Sequence, residues 1–205
     1  MPNKKSSKKI TIQVLIIAIV FGALAGIGAN VFMTNNRGQA DLIKDFYEVE
    51  NAVHVSPHGL RKHITDLNNT KILVDLRSQE EYETEHVIGA INIPAYASPD
   101  KSDYGAVERI VNSFKALPQD KEIIVYCYSM PCMTGRKIGK MLAEHDVYVK
   151  HLGIGWQEWR YFWNLWNHDG ETKVNPADYV ATGPEPGVYK GLGGSGCPIG
   201  GEFGC

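Results

Sequence analysis

Four short, largely apolar runs constrain this chain more than any other feature. Ile72–Leu76, Val87–Ile93, Ile123–Cys127 and Val147–Leu152 have the length and composition of strands buried on both faces of a parallel sheet. Helical patterns separate them, around Ala106–Lys115 and Arg136–Glu144. A further helix opens at Ser56–Pro57, an N-cap followed by proline at the first helical position, and runs to about Leu67 before Asn68–Asn69. Residues 41–55 read as an amphipathic lead-in ending in a brief strand near Ala52–Val55. Strands alternating with helices predict an α/β layered fold with a central, mostly parallel sheet. Such sheets bind ligands at the carboxyl ends of their strands, which singles out Asp75–Leu76–Arg77 and the loop that begins at Cys127.

The 205 residues are 43% hydrophobic and 21% charged, which excludes a wholly disordered chain. A net charge of −2 leaves no basic surface and argues against nucleic acid as a partner. The charge is uneven. Lys4, Lys5, Lys8 and Lys9 crowd the first nine residues, so the remainder carries 17 basic against 23 acidic residues, a net −6. No charged residue falls between Ile10 and Asn36, and Ile10–Met33 is almost wholly apolar or small. As a helix this stretch would be about 36 Å long, against about 30 Å of bilayer hydrocarbon. One N-terminal transmembrane helix is therefore expected, with the lysines holding the N-terminus in the cytoplasm. The C-terminal domain would then be extracytoplasmic, periplasmic or at the cell surface. A cleaved signal peptide with Gly38–Gln39–Ala40 as its site is the rival reading, but the apolar stretch exceeds the usual cleavable length. Gly22 and Gly26 form a GxxxG, a face on which two such helices could pair into a homodimer.

The stretch ILVDLRSQEEYETEHVIGAINIP (Ile72–Pro94) closely resembles the rhodanese homology domain in its Asp-x-Arg, its Glu-Tyr, its His followed by Gly-Ala, and its Asn-Ile-Pro. EIIVYC (Glu122–Cys127) is similar to the strand that delivers that family's catalytic cysteine, and HLGIGWQEW (His151–Trp159) to its closing Gly-Trp segment. The resemblance covers about residues 50–166. It implies a rhodanese-like sulfurtransferase, in which a cysteine takes a sulfane sulfur as a persulfide and passes it to a thiol acceptor. A small sulfur donor and a thiol acceptor would be the partners, and no cofactor is implied. In the family the Asp-Arg pair, here Asp75 and Arg77, orders the catalytic loop through an ion pair.

The physical reading of Cys127 agrees. A cysteine at the end of a buried strand, just before a helix N-terminus, sits where amide dipoles stabilise a thiolate. Residues Tyr128, Ser129, Met130, Pro131, Met133, Thr134, Gly135 and Arg136 would form the substrate-binding loop around it. The family loop often carries Arg or Thr at the fifth place after the cysteine; here that place is Cys132, and the first arginine, Arg136, comes four residues later. That departure counts against thiosulfate as the donor and against a Cys-x5-Arg phosphatase. It adds Cys132 as a second catalytic candidate, able to displace a persulfide or lock Cys127 in a disulfide, with simple packing under the loop as the alternative. His86 is expected to make a local hydrogen bond, and no Cys/His spacing fits a metal site.

Trp156, Trp159, Trp163 and Trp166 are spaced as one face of a helix packed on the sheet. Beyond Asn175 the composition turns to glycine and proline, and the chain ends with Cys197 and Cys205, candidates for a local disulfide, a mobile dithiol or a cross-link. The expected organisation is a basic tail over 1–9, a transmembrane helix over 10–33, a linker over 34–50, a rhodanese-like domain over 51–170 and a tail over 171–205. Three functions stay open on these residues: a membrane-anchored sulfurtransferase with Cys127 as nucleophile, a thiol–disulfide protein using Cys127, Cys132 and the tail cysteines, and a non-catalytic binding module of the same fold.

Overall fold

The computed structural model describes residues 14–28, 38–65, 70–167 and 174–190. It divides into two units, Met1–Val49 and Glu50–Cys205. In the first, helix α1 covers residues 14–28, and helix α2 (Gln39–Val53) begins where Asp41 Oδ2 accepts the Gly38 N–H at 3.0 Å. α2 runs on to the start of the second unit.

The expected transmembrane helix and the placement built on it are corrected here. Among the described residues no helix is long and apolar enough to cross a membrane. The described helix covers 15 residues, about 22 Å of rise, against about 30 Å of bilayer hydrocarbon. Residues 10–13 and 29–33 of the expected span lie outside the described residues. The single-pass topology and the extracytoplasmic address therefore find no support.

The second unit is built on one five-stranded sheet. Its strands are β1 (His54–Val55), β2 (Lys71–Asp75), β4 (Ala90–Asn92), β7 (Glu122–Tyr126) and β8 (Lys150–Leu152), in the order β1-β8-β7-β2-β4, and every pairing is parallel. Helix α3 (Pro57–Thr65) follows β1, with Ser56 Oγ accepting the Gly59 N–H, so the Ser-Pro start is read correctly from the sequence. Its expected end near Leu67 lies outside the described residues. Helix α4 (Gln79–Thr84) follows β2 behind a capping box of Ser78 and Glu81. Helices α5 (Val107–Lys115), α6 (Thr134–Ala143) and α7 (Trp156–Arg160) complete the layers.

The run Val87–Ile93 is not one strand. Gly89 takes φ +81° and breaks it into β3 (His86–Val87), which pairs antiparallel with β9 (Val180–Ala181), and β4 in the central sheet. A small hairpin of β5 (Tyr96–Ser98) and β6 (Lys101–Ser102) lies between β4 and α5.

Alternation along the strands sorts side chains into two cores, one on each face of the sheet. Leu73, Ile124 and Tyr126 join Leu60, Tyr82, Trp159 and Tyr179 in one core. Val74, Ile123, Val125 and Cys127 join Ile110, Phe114, Ile138 and Leu142 in the other. The same alternation decides the site: Tyr126 faces one core and Cys127 the other, so the thiol lies on the α5–α6 side.

The tryptophans are core residues, as expected, but they do not share one helix. α7 ends at Arg160 and a separate 3-10 turn spans Trp163–Leu165. Trp159 stacks on Trp166 at 5.3 Å and meets Trp163 edge-on at 5.4 Å. The cluster is closed by Tyr179, whose carbonyl accepts from Trp159 Nε1 at 3.1 Å.

Candidate active site

β7 delivers Cys127 to the carboxyl edge of the sheet, where it is 2% exposed. The loop that follows turns at once: the Cys132 N–H donates to the Ser129 carbonyl at 3.0 Å. That turn brings the two thiols together. Cys132 Sγ stands 3.3 Å from Cys127 Sγ and 3.3 Å from Thr134 Oγ1, and both cysteines are free. The Tyr128 N–H faces both sulfurs and the Thr134 N–H faces Cys132, at the start of α6. Backbone dipoles thus favour one anion on the pair.

Two sulfurs at this distance share one proton, and their surroundings decide which holds the charge. Cys132 falls to about 5 because Cys127 hydrogen-bonds to it, against its partial burial, with help from Thr134. Cys127 is pushed upward by the hydrogen bond to Cys132 and by burial. The resting anion therefore sits on Cys132.

The loop is held from three sides. Glu158 Oε2 accepts the N–H groups of Gly155 and Met130, at 2.9 and 3.1 Å. The carbonyls of Cys127 and Tyr128 accept from the Trp156 and Gln157 N–H groups, both at 2.8 Å. Tyr128 Oη donates to Glu81 Oε2 at 2.6 Å, the same carboxylate that completes the α4 capping box. Gly155 has no room for a side chain, since a Cβ there would lie 2.2 Å from the Ser129 N.

The remaining loop residues have distinct places. Met130 and Met133 are exposed, 56% and 53%, and form the rim with Pro131. Thr134 and Gly135 are buried at the start of α6. Arg136 Nη1 donates to the Met130 and Cys132 carbonyls at 3.3 and 3.2 Å. It thus braces the outside of the loop and is engaged by backbone oxygens.

Asp75 and Arg77 form a buried ion pair, with Arg77 Nη2 2.6 Å from Asp75 Oδ2. Tyr126 Oη donates to the same oxygen at 2.5 Å, and Arg77 Nη2 also donates to the Glu85 carbonyl. The guanidinium lies 4.4 Å from the Trp156 ring centroid, so the pair supports the segment that in turn grips the Cys127 carbonyl. It does not touch the thiols. His86 hydrogen-bonds the Tyr82 carbonyl at 2.7 Å and stacks on its ring.

Two tyrosines escaped the sequence reading. Tyr96, in β5, and Tyr104 both place their hydroxyls 2.8 Å from Thr134 Oγ1. Nothing in the spacing announces them, because β5 and the turn after β6 bring them to Thr134 across 38 and 30 residues of chain. Glu158 was visible only as one letter of the Gly-Trp segment. Cys197 and Cys205 lie outside the described residues, and no cluster of His, Cys, Asp or Glu able to hold a metal occurs among the described ones.

Residues 56–161 match the model of the family described as the rhodanese-like domain. The chain belongs to that family. A curated relative, an HTH-type transcriptional regulator of Mycobacterium tuberculosis, is 31% identical over 88 residues, covering 43% of this chain and 34% of the regulator. The chain thus spans about a third of the length of that relative. Among solved structures, a Bacillus halodurans protein is 24% identical over 66% of this chain and 86% of its own, with a TM-score of 0.48. A single-domain sulfurtransferase of Saccharomyces cerevisiae is 21% identical over 52% of this chain and 87% of its own, with a TM-score of 0.40. The rhodanese-like domain here places a thiol pair at the end of β7.

Proposed function

We propose that the protein is a rhodanese-like sulfurtransferase that accepts a sulfane sulfur on Cys127 and hands it to a thiol acceptor. The observation that carries this reading is the position of Cys127, at the end of a central parallel strand with the Tyr128 N–H facing its sulfur. Donor attack needs a Cys127 thiolate, and Cys132 at 3.3 Å is the nearest base able to take its proton. Cys127 and Cys132 are the catalytic pair, the loop from Tyr128 to Arg136 shapes the mouth, and Asp75 and Arg77 support it. Because Arg136 is engaged with the loop carbonyls, the reading favours persulfide or polysulfide donors over thiosulfate.

The test is transfer of sulfur from such donors to a small thiol. Cys127→Ala should abolish turnover while the circular dichroism spectrum stays unchanged. Full turnover in that variant would refute the assignment. A thiol–disulfide protein is the second reading, favoured by the same 3.3 Å contact. It would cycle between dithiol and disulfide with a simple oxidant and no sulfane donor, whereas a sulfurtransferase requires one.

A further inference from the structure

The proposal rests on the sulfurtransferase reading and concerns what becomes of the sulfur. We infer that, when no acceptor thiol is bound, the site discharges its own persulfide: Cys132, held beside Thr134, attacks Cys127 Sγ and expels the sulfane sulfur as hydrosulfide, leaving a Cys127–Cys132 disulfide. The 3.3 Å separation of the two sulfurs is already a contact, and only slightly more than 1 Å of approach reaches a disulfide bond of about 2.05 Å.

The atoms balance without an outside oxidant. While Cys132 holds the proton that the pair shares, the Cys127 thiolate attacks the terminal sulfur of a polysulfide. The donor's S–S bond breaks, the polysulfide one sulfur shorter leaves with the electron pair, and Cys127 carries a persulfide anion. The Cys132 sulfur then bonds to Cys127 Sγ, the persulfide S–S bond breaks, and the outer sulfur leaves with the electron pair. The proton from Cys132 goes with it, as hydrosulfide. The two cysteine sulfurs lose two electrons and the sulfane sulfur gains them. A dithiol reductant must reopen the disulfide before another turnover, so the product is sulfide and the consumed class of reagent is a dithiol.

Thr134 is the positioning residue. Its oxygen lies 2.8 Å from both the Tyr96 and Tyr104 hydroxyls and 3.3 Å from the Cys132 sulfur, so it can donate to that sulfur as a thiolate or accept from it as a thiol. The three hydroxyls therefore fix the Cys132 sulfur in place beside Cys127 Sγ. Burial favours the same direction. Cys127 lies deeper than Cys132, so attack at the outer sulfur would have to expel the worse-solvated thiolate, and attack at Cys127 Sγ expels a small hydrosulfide instead.

The full chain, reduced and freed of reductant, should be mixed with a small-molecule polysulfide, and sulfide and intact mass followed over one turnover. The wild type should release about one sulfide per chain and end about 2 Da lighter, with Cys127 and Cys132 in one disulfide-linked peptide. Cys132→Ser, which loads more slowly for want of the neighbouring base, should at completion keep a stable adduct of about 32 Da on Cys127 and release none. Thr134→Val should slow the sulfide burst about tenfold, and Thr134→Ser should restore it. A wild type that retains the persulfide as stably as Cys132→Ser would overturn the inference and leave the sulfurtransferase reading standing. Failure of both proteins to take up sulfur would sink both.

Discussion

At the scale of single residues, the protein's chemistry turns on which of two sulfurs is charged. A lone thiol at the end of β7 would be buried and slow to ionise. A second thiol in contact, backed by the Thr134 hydroxyl, supplies an anion at the site well below the ordinary thiol range. Alkylation by iodoacetamide should therefore modify Cys132 first, with a rate that rises through about pH 5 and is level at neutrality. In Thr134→Val the rise should move upward by about one pH unit. A profile centred near the ordinary thiol value of about 8.5 in the wild type would show that Cys132 is not the resting anion. The cysteines themselves were legible, because a strand end followed by Ser, Pro and Gly is a local pattern. The hydroxyls beside them were not, since Tyr96 arrives on β5 and Tyr104 in the turn after β6, and no local rule reaches from there to Thr134.

At the scale of elements, two close approaches fix the loop. Gly155 lets α7 begin directly beneath Ser129, and Gly135 lets α6 lie on the ring of His151 in β8, where a Cβ would come within 2.2 Å of the imidazole. Gly155→Ala should push the loop outward and cut sulfur transfer at least about tenfold, more than its loss of stability explains. Transfer at the wild-type rate would mean that the loop tolerates the shift. His151 is 6% exposed and neither ring nitrogen has a partner. Burial, with Arg136 and His54 nearby, lowers it from 6.5 to about 4. Between those values the unfolded chain binds a proton that the folded one refuses, so stability falls as the pH drops through that window. The loss from this group is about 3 kcal/mol. His151→Leu should flatten that stretch of the pH–stability curve in urea titrations, and an unchanged slope would assign the acid sensitivity elsewhere. A cavity of about 560 Å³ lies along α6 and β8 beside this histidine, and no cysteine lines it. The elements were mostly legible because apolar runs mark buried strands. The failures were at Gly89, where one positive φ splits an apolar run, and past Arg160, where the tryptophan spacing continues after the helix has ended.

At the scale of the whole molecule, the parallel sheet separates the thiols from the ion pair that supports them. Tyr126 and Cys127 are neighbours in sequence on opposite faces, so one reaches Asp75 while the other meets Cys132. Asp75→Asn would strand the Arg77 guanidinium, which is 3% exposed, without its carboxylate. Unfolding free energy should fall by about 3–5 kcal/mol, read by chemical denaturation. A fall under about 1 kcal/mol would show that the pair is dispensable. What sequence patterning misjudged at this scale was the N-terminal stretch. An uncharged run reads as a bilayer span from hydropathy alone, yet among the described residues, here 14–28, no helix is long and apolar enough to cross a membrane. The central claim is that Cys127 is the sulfur acceptor. Peptide mass spectrometry of the Cys132→Ser protein, held in polysulfide long enough for uptake without the neighbouring base, tests it most directly. An adduct of about 32 Da on the Cys127 peptide is expected; an unmodified Cys127 at saturating donor would contradict it.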